Sequence, residues 1–402
     1  MQIDASMTEA KAVIASVSMI PPKVINVLQT GYHIPDPLPW AEIGGALATA
    51  EDALARLDER LAKSPIRDGW TARTHFTDAC ATLWLEGELV HLDDLVLHDA
   101  RMDVRAPTHE LTRAHAVLRM RRRIADGEPD WALSSAGLAS MRGGRSAHEE
   151  AASRAGEARL GDDEDEDGQA AVDGGPSGDF LDQLFADVDA AIASADRMLT
   201  VGGSAVARSA ERDPLVYDVD WDEDERLAEW RAILDRTRSL PPTLAAAIAA
   251  QAWSEIAPLQ HTHWLGRLLA AALLRERGKA RAHLPCMSEG LKAIPRERRR
   301  PHDAAGRLRV ELEAIAAAAD AGLKSHDRWL AARTILTRKL AGRRSTSRLP
   351  GLLDYVLTRP IVSAGMIAEE LRITPRAAQD LVAELGLREA TGRGSYRAWG
   401  IL

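Results

Sequence analysis

Near the C-terminus, Thr374, Pro375, Arg376 and Gln379 open a helical segment, and Arg388, Arg393, Tyr396 and Arg397 follow around a Gly-Arg-Gly turn. A guanidinium or a side-chain amide can bond a base edge at two points, and arginines also neutralise phosphate. These residue types suit contact with double-stranded DNA. Thr374, Arg376 and Gln379 are the expected base or phosphate readers. Arg388, Arg393 and Arg397 are expected on phosphate, with Tyr396 packed beside the backbone.

A second cluster, His261-Thr262-His263, with His283 or Cys286 further on, holds side chains that can ligate zinc. An H-x-H pair has no firm third ligand here, and Arg267 and Lys279 disfavour a cation, so a polar surface loop is the simpler reading. No metal and no other cofactor is expected. His109 and His115, in HELTRAH, are six residues apart and read as an ordinary helix face.

The DNA-facing residues need elements to hold them. Leu352, Leu353, Val356 and Leu357 recur at helical spacing up to Pro360, and Ile361-Val362 make a short extended piece. Ser363 can cap a second helix carrying Ile367 and Leu371. Thr374 can cap a third, with Pro375 at its first position and Ala378, Leu381, Val382 and Leu385 on its inner face. Gly386 ends it, and residues 387–402 offer two short strands as a wing. Two short helices, a tight turn at Arg372-Ile373-Thr374 and a hairpin are the pattern of a winged helix-turn-helix, whose last helix enters the major groove by its N-terminal residues.

Upstream, residues 1–39 are a Pro-punctuated lead-in. Residues 40–142 carry several helices: Ile43, Leu47, Leu54, Leu57 and Leu61 mark one, residues 70–97 two more, and Thr108 to Gly127 a strong fourth. Residues 143–178 hold a DDEDED block and few large apolar residues, so an acidic disordered linker is expected, with a decoy for the basic end as the sharper reading. Residues 179–341 resume order with an amphipathic segment from Phe180. Two helices follow in LPPTLAAAIAAQAWSEI and GRLLAAALLRERG that are apolar nearly all round, hence buried. Two amphipathic helices are expected over 303–341, before the module at 342–402.

The bulk numbers agree with an all-α protein. Of 402 residues, 46% are apolar and only 4% aromatic, with much alanine and two cysteines, Cys80 and Cys286. No disulfide framework, signal peptide or membrane span is expected, which makes the cytoplasm the default. The formal charge is −9. It is unevenly placed: residues 275–402 carry 25 Lys+Arg against 14 Asp+Glu, a net +11 that can steer one end toward a polyanion.

Residues 240–288 resemble the core of Fic-domain proteins, which hold the loop His-Pro-Phe-x-(Asp/Glu)-Gly-Asn-Gly-Arg-x-x-Arg between two helices. TLWLEG at 82–87 resembles that family's inhibitory helix, (Ser/Thr)-x-x-x-Glu-(Gly/Asn), and a C-terminal winged helix is a common appendage in one Fic branch. The arrangement also looks like a bacterial helix-turn-helix family of unknown function. The resemblance implies a Fic-like helical bundle and, in intact members, transfer of AMP to a hydroxyl by a motif histidine, an acidic Mg²⁺ ligand and a backbone phosphate nest. Here Ala257 stands at the base position, followed by Pro258 and Leu259. His261 and His263 stand where the nest should be, and Trp264 replaces the first arginine. Arg267, the second, is retained. The expectation is a pseudoenzyme. The retained Glu86 and Arg267, both in apolar helical contexts, are expected to form a structural salt bridge, as they would pair in the family.

The reading that follows is a DNA-binding protein, a transcriptional regulator on a catalytically inactive scaffold, with double-stranded DNA and a second copy of the chain as partners and no membrane. Two alternatives stand beside it: a protein-interaction scaffold or antitoxin-like partner whose winged helix docks protein, and a residual nucleotidyl-transferase.

Overall fold

The computed structural model describes residues 31–102, 106–142, 221–340, 348–391 and 397–401. The acidic stretch 143–178, the amphipathic segment from Phe180, most of the lead-in, and Arg393 and Tyr396 lie outside the described residues.

Helical spacing of apolar residues produces the elements nearly where it should. Helix α1 is Trp40–Ala62, with Ile43, Leu54, Leu57 and Leu61 buried. Helices α2 (Arg67–Leu85) and α3 (Leu92–Asp99) follow. Helix α4 (His109–Asp126) starts at Thr108, whose hydroxyl accepts a bond from the Leu111 amide. That bond satisfies one of the amides a helix start leaves open.

After Glu223–Arg236 (α5) come the two all-apolar helices, α6 (Pro242–Ile256) and α7 (Leu265–Glu276). From Thr243 to Trp253 every residue of α6 is buried. The two helices touch at Gly266, where an added Cβ would lie 2.3 Å from the Trp253 ring, so only glycine permits this approach. Trp253 in turn meets Trp230 of α5 edge-to-face, ring centres 5.1 Å apart. This is the centre of the body. Helix α8 (Met287–Ala293) follows and packs against α2 and α7.

The two helices expected over 303–341 are one: α9 runs unbroken from Ala304 to Leu340 over 37 residues. Its alanine-rich sequence has no proline, and its internal Gly322 costs about 1 kcal/mol relative to alanine. Packing offsets that cost. Leu57 and Trp70 close on Gly322, and Trp70 Nε1 donates to its carbonyl at 3.1 Å. The first part of α9 lies along α1 and α8, and the far end meets the C-terminal module.

That module holds α10 (Leu349–Thr358), β1 (Val362–Ser363), α11 (Ala364–Leu371), α12 (Pro375–Leu385), β2 (Arg388–Glu389) and β3 (Ala398–Gly400). The strands form one small antiparallel sheet in the order β1-β3-β2. The fold is thus all-α apart from this wing.

A buried ion pair ties the N-terminal helices to the body. Asp78 of α2 and Arg121 of α4 are fully buried, with Nη1 2.6 Å from Oδ2. Arg121 also donates to the carbonyls of Leu284 and Pro285, and Asp78 accepts the Glu289 amide at 2.9 Å. A charge pair survives burial when most of its remaining polar atoms are bonded in this way, and here Arg121 Nε is left without a bond.

Candidate nucleic-acid interface

The helix-turn-helix is set by local chemistry. The Ser363 hydroxyl accepts the Met366 amide at 3.2 Å and starts α11. Arg372 ends α11 in the left-handed region, φ 52°, and the Ile373 amide bonds back to Ala368 at 2.9 Å, which closes the turn. The Thr374 hydroxyl accepts the Ala377 amide at 3.2 Å and Pro375 opens α12. Gly386, φ 71°, terminates it. Ala378, Val382 and Leu385 face inward.

The opposite face of α12 is open. Thr374, Arg376 and Gln379 are exposed at its N-terminal end, and Arg388 is exposed on β2. Thr374 spends one lone pair on its capping bond, so its first role is structural. Arg376 has only a loose contact with Asp380 at 4.0 Å. Arg397 is held by Glu389, Nε to Oε2 2.8 Å, and lies over Trp399, so its guanidinium is oriented along the wing. Of the expected contact residues, these five lie together on one module.

Asp380, Glu384, Glu369 and Glu370 are exposed on the same two helices. Residues 349–402, from α10 onward, contain six Lys+Arg and six Asp+Glu and so carry no net charge, while Arg343, Arg344 and Arg348 just before them are basic. The +11 of residues 275–402 resides wholly in 275–348, a division the sequence already contains and the pooled count conceals.

The module is fastened to the body by side chains that sequence reasoning did not single out. Arg73 of α2, buried, donates to the carbonyls of Val356 (2.9 Å), Arg359 (2.7 Å), Pro360 (3.5 Å) and Ile401 (3.2 Å). Its guanidinium stacks 4.6 Å from the Trp329 ring centre. Burial, together with the nearby Arg328 charge, lowers its pKa to about 10, so it stays charged at neutral pH. Beside it, Asp99 takes both Nη atoms of Arg122 at 2.6 and 2.9 Å, Arg359 Nη1 at 3.1 Å and His115 Nε2 at 3.3 Å. Burial alone would raise the Asp99 carboxyl. The bonds from His115 and Arg122 and the Arg122 charge outweigh it and hold that carboxyl well below the usual range. A third fastening is Lys339 at the end of α9, which donates to Leu385 O at 2.9 Å and caps the last turn of α12. A buried arginine without a nearby sequence partner was the available signal for Arg73.

The loop between α6 and α7 is built differently from a phosphate nest. Ala257 adopts φ 46°, and its carbonyl accepts Trp221 Nε1 at 3.2 Å. Pro258 and Leu259 are buried, His261 and His263 exposed, and Trp264 is buried as the cap of α7. His283 and Cys286 belong to the core instead: His283 Nδ1 lies 3.3 Å from Asp58, and Cys286 is buried beside Arg121. Among the described residues no three metal-binding side chains converge.

The expected Glu86–Arg267 pair is not made. Glu86, at the end of α2, bonds Arg113 of α4 at 2.5 Å, and Arg113 also bonds Glu88. Arg113 lies on the helix that packs against α2, so it reaches the carboxylate first. Arg267 makes no ion pair among the described residues, and its charge acts instead on Asp78 and Glu311. Glu86 keeps His263 within electrostatic reach.

Comparison with known proteins bears on both regions. Residues 215–341 match a family described as "Protein of unknown function (DUF1612)", and residues 349–402 match one described as "HTH DNA binding domain". A protein of Sinorhizobium fredii (strain NBRC 101917 / NGR234), described as "Uncharacterized protein y4cF", is 49% identical over 358 residues, 86% of this chain and 93% of the relative. No helix among the described residues is long and apolar enough to cross a membrane. The chain belongs to one family with this Sinorhizobium relative, and it carries a DUF1612 region followed by a helix-turn-helix DNA-binding domain.

Proposed function

We propose that the protein is a sequence-reading DNA-binding regulator that works in the cytoplasm as a homodimer, with its helical body serving as a scaffold. The observation that carries the reading is the open N-terminal turn of α12, where Arg376 and Gln379 project with no strong partner of their own. In such modules that turn meets base edges. Homodimers place two such helices one DNA turn apart, so a two-fold symmetric site is expected. Selection of bound sequences from a random duplex pool tests it. An enriched, inverted-repeat motif supports regulation by sequence. Binding with no preference leaves only a backbone binder, and no binding at low salt overturns the reading.

The scaffold is, in this reading, Fic-like and catalytically inactive. Ala257 offers no base, no acidic residue follows it, and the buried Pro258-Leu259 leave no open amide cradle. Losing a general base alone costs ~10²–10⁴ in rate. Incubation with labelled ATP and Mg²⁺ should label neither the chain nor a lysate protein above an Arg267→Ala control. Arg267-dependent labelling overturns the inactive assignment.

The neutral charge of the module favours one second reading, a winged helix that docks a protein. Salt separates the two: DNA retention must fall steeply as salt rises.

A further inference from the structure

A helix-turn-helix that binds DNA needs cations for phosphate, and this module has as many carboxylates as cations. The missing charge lies next door. Along the last half of α9, Lys324, Arg328 and Arg338 are exposed and recur with Ala331 and Ile335 at helical spacing, so they form one outward stripe. None of the three makes an ion pair among the described residues, whereas the carboxylate nearest in sequence, Asp327, is engaged by Arg60 and His326. From Lys324 to Arg338 the stripe is ~21 Å long at 1.5 Å per residue. That spans about six base pairs at 3.4 Å each.

Two neighbours of the stripe, Trp329 and Lys339, tie α9 to the DNA-binding module. Arg328 lies over Trp329, the ring that Arg73 also covers while it holds the carbonyls of Val356 in α10 and of Ile401, just after β3. At the other end Lys339, next to Arg338, caps the last turn of α12. The helix that carries the stripe therefore adjoins the module at α10, through the Trp329–Arg73 stack, and at the end of the recognition helix, through Lys339, and it is continuous between those points.

We propose that Lys324, Arg328 and Arg338 form a second DNA-backbone contact surface, which supplies the phosphate neutralisation that the neutral helix-turn-helix lacks. The proposal rests on the DNA-binding reading above. It divides the work: α12 reads sequence, and α9 supplies most of the salt-dependent affinity.

The test uses the full chain. A K324Q/R328Q/R338Q variant, a Lys324→Arg/Arg338→Lys charge-preserving variant and Gln379→Ala are compared with wild type. Binding to a random-sequence duplex is followed by fluorescence anisotropy across a salt series, with circular dichroism as the fold check. At about 0.9 per phosphate contact, the triple glutamine variant should flatten the log–log salt slope by about 2.7. It should bind at least about tenfold more weakly at low salt and keep the sequence preference of wild type. The charge-preserving variant should keep the slope. An unchanged slope and affinity in the folded triple variant overturns the surface and leaves the DNA reading standing, provided Gln379→Ala still relaxes preference. A triple variant that loses only self-association, with the slope per protomer intact, assigns the stripe to a second copy of the chain and overturns the proposal. Wild type that binds no DNA overturns both.

Discussion

The α6–α7 hairpin and the helix-turn-helix module are held by opposite means. The hairpin is fixed by shape: eleven consecutive buried residues in α6 and a glycine that lets two helices touch at Trp253. The module shares apolar contact with the body, Leu357 lying over Gly69, but its orientation is set by polar atoms. Arg73 reaches four carbonyls, Asp99 gathers three cationic or imidazole partners, and Lys339 caps α12. Apolar packing is roughly isotropic, while a guanidinium fork has one direction. A binding module hung on directional bonds points one way relative to its scaffold. That is what a protein needs if one region positions another on DNA.

The largest blow falls on the body. Asp78→Ala leaves Arg121 buried without its partner, and such losses cost about 3–5 kcal/mol. Urea unfolding should show that drop with the transition still cooperative. A loss within the range of a surface substitution would mean the pair is incidental to the fold.

Arg73→Met should act on the junction. It removes a charged donor from four carbonyls, at about 2–3 kcal/mol for charge-assisted bonds. Hydrogen exchange should quicken in α10 and around Ile401 while α6 stays protected. Equal exchange in both regions would erase the contrast between them.

Acid should sharpen it further. Asp99 has its carboxyl depressed in the folded state, so its contribution is full above the ordinary carboxylate pKa, about 3.9, and is lost as pH falls below that through its lowered value. Protection of α10 should therefore decline below about pH 4, and an Asp99→Asn variant should lack that pH step. A step of the same size in Asp99→Asn assigns it to other carboxylates.

The smallest expected effect is local. Thr374→Ala removes the cap of α12 and should cost about 1 kcal/mol, with a modest loss of DNA affinity and no change in the body. A cap worth nothing would show that the turn is held by Arg372 and Ile373 alone.

How much of this was legible in the residues follows the range of each interaction. Short-range features were plain: the caps at Thr108, Ser363 and Thr374, the stop at Gly386, and the buried character of α6 and α7 all follow from neighbours within four positions. Long-range partners were not. The sequence around Glu86 says that a carboxylate in an apolar setting needs a cation, but not that Arg113 will reach it before Arg267. His115 looked like one more residue on a helix face and proves to contact Asp99. Two helices were expected over 303–341, and nothing local shows that the indole of Trp70, 252 positions away, supports a continuous α9 at Gly322. The candidate contact residues Thr374, Arg376, Gln379 and Arg388 were legible because they sit within one local motif, whereas the stripe on α9 matters only through the fold that lays it beside that motif.

Helix α9 has a consequence of its own. At 1.5 Å per residue its 37 residues span ~55 Å, from the α1–α8 packing to the end of α12. It is a lever clamped by the body as far as Asp327, with the last 13 residues, ~20 Å at 1.5 Å each, reaching to the reading head. Pivoting that arm by about 10° would sweep Leu340 by ~3.5 Å, about the 3.4 Å rise of one base step. Any partner that binds the body and shifts that clamp slightly would move α12 in or out of register with its groove. By thermodynamic reciprocity, DNA would in turn alter that partner's affinity by the same factor.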